Sequence, residues 1–264
     1  MTVLAHPAYG VPRPVTPFAS VLLENNPSSM TLDGTNTWLL RAPDAAECVV
    51  VDPGTRDEGH LERVVAAAGP VELILITHQH PDHVGGAPWL AERTGAPVRA
   101  FEARLCRDAD PLSDGELLAA GGLELAVRHT PGHTEDSVCF EVALDGARAV
   151  LTGDTVLGRG TTVISDLGDY LDSLRGLTGA AAGTLVLPGH GPDLPDLAVT
   201  AGEYLSHRDE RLDQVRAALR ELGADASPRR VVELVYADVD RSLWGPAEWS
   251  VRAQLDYLRR ERSS

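Results

Sequence analysis

An α/β fold with a small helical domain at its C-terminal end is what the sequence predicts, on three observations. Short apolar runs bounded by turn residues recur through the first two thirds of the chain, with the length of buried strands. Helix-like segments with an apolar stripe lie between them. From Leu197 onward the texture changes to continuous helical periodicity. A chain of 264 residues has room for one large domain and an appendage, so we place one domain at 1–196 and a second at 197–264.

In chain order, strands are expected at 47–51, 71–76, 123–127, 138–143, 149–151 and 184–187. Helices are expected at 57–68, where Leu61, Val64, Val65 and Ala68 share a stripe, and at 170–177, with Leu171, Leu174 and Leu177. Strands mixed with helices argue for layered packing. In the tail, Tyr204, Leu205, Leu212, Val215, Leu219 and Leu222 mark a long amphipathic helix that Gly223 closes. Ser227-Pro228 opens a second helix, since serine caps and proline suits a first turn. A third should run over 247–260.

Charge narrows the function. Acids outnumber bases by 39 to 23, a net charge of −16, which disfavours a non-specific grip on phosphate backbones or anionic membranes. All 23 bases are arginine, so Schiff-base chemistry, a lysine-dependent phosphate loop and a lysine general base are excluded. The tail differs: residues 195–264 hold 11 arginines against 13 acids, leaving −2 there and −14 before it. Cys48, Cys106 and Cys139 stand far apart, with neither disulfide nor zinc-ribbon spacing. No basic start followed by an apolar run marks a signal peptide, and no stretch has the length of a membrane helix. A cytoplasmic protein in a reducing compartment, with no membrane partner, is expected.

The chemistry concentrates where the strand at 71–76 runs into Thr77-His78-Gln79-His80-Pro81-Asp82-His83, followed by Gly85-Gly86. Alternate residues of an extended chain point to one side, which lets His78 and His80 grip one ion. The turn at Pro81 can aim Asp82 and His83 at a neighbouring point about 3.5 to 4 Å away, the spacing of two-metal sites. Three further strand ends carry a histidine or aspartate beside glycine: Gly132-His133, Gly153-Asp154 and Gly189-His190. Each alone is an ordinary turn. Together with the first cluster they supply five histidines and two aspartates, enough for two ions sharing a carboxylate and a water.

With these residues the sequence resembles the metallo-β-lactamase superfamily, whose H-x-H-x-D-H signature stands here as His78, His80, Asp82 and His83. The resemblance implies a four-layer αβ/βα sandwich with metals between the edges of two sheets. Carried over by position, it makes His78, His80 and His133 ligands of a first Zn2+, Asp82, His83 and His190 ligands of a second, and Asp154 the bridge. The best-known zinc lactamases place cysteine at the position of Asp154, so hydroxyacylglutathione-hydrolase or nuclease chemistry is expected ahead of penicillin hydrolysis. A closer resemblance is to the LACTB2-like branch, thioesterase-like and endoribonuclease proteins with a winged-helix-like C-terminal domain. It rests on Gly34-Thr35-Asn36-Thr37, Thr130-Pro131-Gly132-His133-Thr134, Gly160-Thr161-Thr162 followed by Asp166-Leu167 and Asp169-Tyr170, Leu187-Pro188-Gly189-His190-Gly191-Pro192 and Ser206-His207-Arg208.

Two cations, zinc or another divalent metal, lower the pKa of a bridging water and present hydroxide as nucleophile. Asp82 is the candidate catalytic residue, orienting that hydroxide or handling its proton. The primary expectation is a zinc-dependent hydrolase of a small acyl, ester or thioester substrate. One alternative is a single-strand endoribonuclease, with Arg229, Arg230, Arg259 and Arg260 contacting the RNA backbone. Another is a mononuclear iron oxygenase of the persulfide dioxygenase type, using His78, His133 and Asp154. Tyr170, His207 and Arg208 are candidate substrate contacts, each weighed against a packing role. His6, His60 and His129 are read as structural or exposed, and Cys139 as a core residue. The tail is expected to close one side of the cleft.

Overall fold

The computed structural model describes residues 9–263; His6 lies outside them. Strands β1 (Arg13–Pro14), β2 (Ala19–Leu23), β3 (Asn36–Leu40), β4 (Cys48–Val51), β5 (Val71–Leu75) and β6 (Val98–Arg99) form one sheet in that order. It is antiparallel from β1 to β4 and parallel from β4 to β6. A second sheet has the order β11 (Leu185–Pro188), β10 (Ala147–Gly153), β9 (Val138–Leu144), β8 (Leu123–His129) and β7 (Leu117–Ala120), with only β10 and β11 parallel.

Strands β4 and β5 show why these sheets stack. Cys-Val-Val-Val has no polar face, because both sides are covered. Val49 and Val51 pair in register with Leu73 and Leu75 and face the inter-sheet core with Phe140 and Leu151. Val50 and Ile74 face outward onto helices α1 (Glu58–Ala68) and α3 (Ala87–Thr94), through Leu61, Val64 and Leu90. The second sheet is covered by α4 (Leu167–Leu177) and α5 (Leu197–Leu222). The layers therefore run helix, sheet, sheet, helix, the metallo-β-lactamase sandwich.

Helix ends follow their capping residues. Asp57 accepts hydrogen bonds from the amides of Gly59 and His60 to start α1, and Gly69, at φ 67°, ends it. Ser227 caps α6 (Pro228–Val235) through the Arg230 amide. The third tail helix, α7 (Trp244–Ser263), begins earlier and ends later than expected. Likewise α5 starts at Leu197, capped by Asp196, seven residues before its first apolar marker. Among the described residues no strand follows β11. The apolar cluster outside the second sheet continues from Cys139, Val150 and Val186 through α4 and α5 to Val231, Val251 and Leu258.

Candidate metal centre

Each expected ligand sits where an element ends at one rim of the sandwich. Strand β5 delivers Thr77 and His78, and the short helix α2 (Pro81–Val84) carries Asp82 and His83. His133 comes from the β8–β9 connection, Asp154 from the end of β10 and His190 from the end of β11. The ends meet closely because two of them carry no side chain. A Cβ on Gly189 would lie 2.6 Å from both Asp154 Oδ1 and His83 Cε1, and one on Gly153, at φ +48°, 2.6 Å from Thr77 Oγ1.

Two groups of donor atoms result, His78, His80, His133 and Asp154 in one and Asp82, His83 and His190 in the other, each within a 4.8 Å span. The hydrogen bonds behind the rings fix their tautomers. His133 Nδ1 donates to the Val163 carbonyl at 2.6 Å, His190 Nδ1 to the Gly34 carbonyl at 3.1 Å, and His83 Nδ1 to Asp52 Oδ2 at 2.8 Å. Thr77 Oγ1 donates to Asp52 Oδ2 at 2.6 Å and so accepts from His78 Nδ1 at 3.1 Å. The Nε2 atoms of these rings are then lone pairs turned inward.

Those lone pairs face one another. His83 Nε2 lies 3.3 Å from His190 Nε2, and His80 Nδ1 lies 2.9 and 3.0 Å from the Nε2 atoms of His78 and His133. Asp154 places Oδ1 3.5 Å from His83 and Oδ2 3.4 and 3.7 Å from His190 and His133, and Oδ1 is buried with no hydrogen-bond partner. Asp82 Oδ2 is 3.2 Å from His190 Nε2. Converging lone pairs and carboxylates repel unless a proton or a metal cation lies among them, and this imidazole and carboxylate set suits zinc. The donor set therefore fits a pair of divalent ions.

The protonation tendencies carry the same field. Burial pushes the His190 and His83 imidazoles down, yet Asp154 with Asp82 or Asp52 reverses this, raising both, His190 strongly. At His78, His80 and His133 burial dominates, helped by neighbouring imidazoles, and lowers all three, His133 to about 4. Burial would raise Asp82, but His190 and His83 hold it down to about 2, so it is an ionised acceptor at neutral pH. Asp154 is held well below the usual carboxylate range against its burial by His190 and His83.

Two cavities open on the cluster. One of about 390 Å³ is lined by Asp82, His133 and His190 and by the exposed apolar side chains of Met30 and Trp249. The other, about 350 Å³, shares His133 and Asp154 and is walled by Arg159, His207, Arg208 and Tyr236. Tyr170 lines neither. It is fully buried and its hydroxyl donates to the Thr155 carbonyl at 2.7 Å, so the packing alternative describes its place and not a contact to substrate. His129 stacks on Phe101 at 4.1 Å, and His60 is buried against Thr37 Oγ1 at 2.9 Å. Cys139 is buried in the core.

Sequence reasoning missed Asp52, whose carboxylate accepts from Thr77 N, Thr77 Oγ1 and His83 Nδ1. Its signal was an aspartate closing the all-apolar strand β4 before Pro53-Gly54. Met30, Arg159 and Trp249 were also missed; nothing in their local sequence marks a cavity wall.

Residues 30–190 match the profile of the metallo-beta-lactamase superfamily, and residues 227–262 that of the beta-lactamase associated winged helix domain. The chain is 34% identical over 243 residues to a "Beta-lactamase-like protein 2 homolog" of Caenorhabditis elegans, covering 88% of this chain and 78% of that one. It is 34% identical over 212 residues to an "Atrochrysone carboxyl ACP thioesterase" of Aspergillus chevalieri, covering 78% and 67%. A crystal structure of a beta-lactamase domain protein from Burkholderia ambifaria superposes with TM-score 0.82 at 25% identity, over 97% of this chain and 89% of that one. The chain belongs to the metallo-β-lactamase superfamily and is a metal-dependent hydrolase with LACTB2-like relatives.

Proposed function

We propose that the protein is a dinuclear zinc hydrolase acting on a small thioester or ester. The observation that carries this is the pair of facing donor groups, seven side chains in all, of which Asp154 lies near both groups. His78, His80 and His133 would hold one ion, Asp82, His83 and His190 the other, and Asp154 both. Bound there, the ions supply Lewis acidity and bring the pKa of water toward neutrality.

The chain's own residues do the rest. Asp82, ionised and partly open to the cavity, is placed to accept a proton from a water at the cluster. Val163, Gly34 and Asp52 keep His133, His190 and His83 in the ligating tautomer. Met30, Ile164 and Trp249 give one cavity an apolar wall that suits an acyl chain and excludes water. The thioesterase name of a relative agrees with this substrate class. Against an extended RNA track, Arg229, Arg259 and Arg260 pair with Glu233, Asp256 and Asp166 of the same chain.

Metal analysis with a panel of acyl thioesters and single-stranded RNA tests the reading. Two zinc ions per chain and thioester turnover that is lost in Asp82→Ala are expected. A single iron with oxygen consumption, or RNA cleavage lost in that variant with negligible thioester turnover, replaces it.

A further inference from the structure

We infer that the second cavity is an anion subsite in which Arg208 receives a carboxylate or phosphate group of the substrate. This rests on the hydrolase reading and names the class of substrate it takes. Arg208 projects from α5 and is only 3% exposed. Its Nη2 donates to the Thr162 carbonyl at 2.6 Å, while Nε is buried without a partner. Its Cζ lies 5.2 Å over the Tyr170 ring, but among the described residues it forms no ion pair, although the chain carries 39 acids. A buried guanidinium without a counter-charge is costly, and proteins normally pair one.

The surroundings repeat the pattern. Arg211, one turn along on the same helix face, lies 4.4 Å over the Tyr236 ring and, among the described residues, bonds only the neutral Gln214 Oε1 and Val235 carbonyl. His207 Nδ1 is buried with no partner, and burial followed by Arg208 and Arg211 lowers its pKa. Asp154 is the sole acid lining this cavity among the described residues, and it belongs to the proposed metal ligands. A chain of net charge −16 thus places Arg208 and Arg211, which form no ion pair among the described residues, beside its reactive cluster, while Arg159 on the same wall pairs with Asp33. A guanidinium fork matches the two oxygens of a carboxylate or phosphate. The walls at Tyr236, Val239 and Ala247 fit one such group at the end of a small molecule.

The test uses two pairs of thioesters on the metal-loaded full chain. Glutaryl and valeryl N-acetylcysteamine differ by a carboxylate on the acyl side, and acetyl-4′-phosphopantetheine and acetyl-pantetheine by a phosphate on the thiol side. The charged member of one pair should be preferred about 10- to 100-fold in kcat/KM, the worth of a hydrogen bond to a charged group. That ratio should collapse toward one in Arg208→Met and return in part in Arg208→Lys, at equal metal content. The pair that responds identifies the anion. Should Arg208→Met fail to fold, Arg211→Gln should lower the ratio several-fold. A ratio near one in the wild type, or a loss shared equally by both members of each pair, overturns the subsite. If no thioester is turned over, the hydrolase reading fails and the subsite is read by calorimetry. Tighter glutarate or inorganic phosphate binding by the wild type than by Arg208→Met supports it, and equal binding overturns it.

Discussion

At the scale of single residues, four of the candidate ligands were legible because their spacing is local. His78, His80, Asp82 and His83 fall within six positions at a strand end, and a chain that must aim four donors at one region leaves that mark. Asp52 left a weaker mark, a single aspartate at the end of an apolar strand, since its partners Thr77 and His83 lie 25 and 31 residues away. Its role makes a prediction. Asp52→Ala removes the acceptor of His83 Nδ1–H, frees that ring to change tautomer, and should weaken metal binding about 10- to 100-fold. Chelator competition measures this, with the loss expected mainly in the ion that His83 would hold. Asp154→Ala, which removes the carboxylate facing both groups, should lower the occupancy of both. Equal affinities in Asp52→Ala and the wild type would leave the aspartate without a role at the metals.

At the scale of elements, strands β4 and β5 were legible, while β2 and β3, buried on both faces but interrupted by Ser20, Asn36 and Thr37, and the shortest elements were not. Strands β4 and β5 read as continuous apolar runs because both faces are covered. Strand β7 is Leu-Leu-Ala-Ala, with alternating exposure and no β-branched residue, so nothing separated it from a helix. Helices α2 and α3 span four and eight residues, too short for a stripe to repeat. Helix α4 was placed three residues late: Leu167, on the stripe of Leu171 and Leu174, opens it directly behind its cap, Asp166. That carboxylate accepts from the Asp169 amide and pairs with Arg260 of α7 at 2.8 Å. Asp166→Ala should cost about 1 kcal/mol from the lost cap, with little more from the exposed ion pair, measured by urea unfolding. Burial pushes this carboxyl up, but Arg260 and the Asp169 amide outweigh it and hold it below 3.8. A depressed carboxyl stabilises above its unfolded pKa, so the difference from wild type should persist at neutral pH. It should shrink as pH falls below 3.8.

At the scale of the whole molecule, the sandwich was legible only through resemblance, because periodicity names elements and not their stacking. The dependence of the metal centre on the tail was not legible at all. Helix α5 reaches the centre through the loop over 157–163. Tyr204 Oη donates to the Gly160 carbonyl at 2.9 Å and accepts from Leu157 N at 3.1 Å, while Arg208 holds the Thr162 carbonyl. The next carbonyl, Val163, is the one that fixes His133. Leu197, Ala201 and Tyr204 also cover the second sheet's outer cluster. A chain ending at 196 should therefore expose apolar surface and lose metal affinity. Trp249→Ala, at a side chain 60% exposed on α7, should keep metal stoichiometry and raise KM for long-chain acyl thioesters more than for acetyl ones. Metal content by mass spectrometry and KM against chain length separate the two effects. A soluble 1–196 chain holding metal as tightly as the full protein would confine the tail to covering the cleft. A chain-length-independent KM in Trp249→Ala would remove the acyl wall from the proposal.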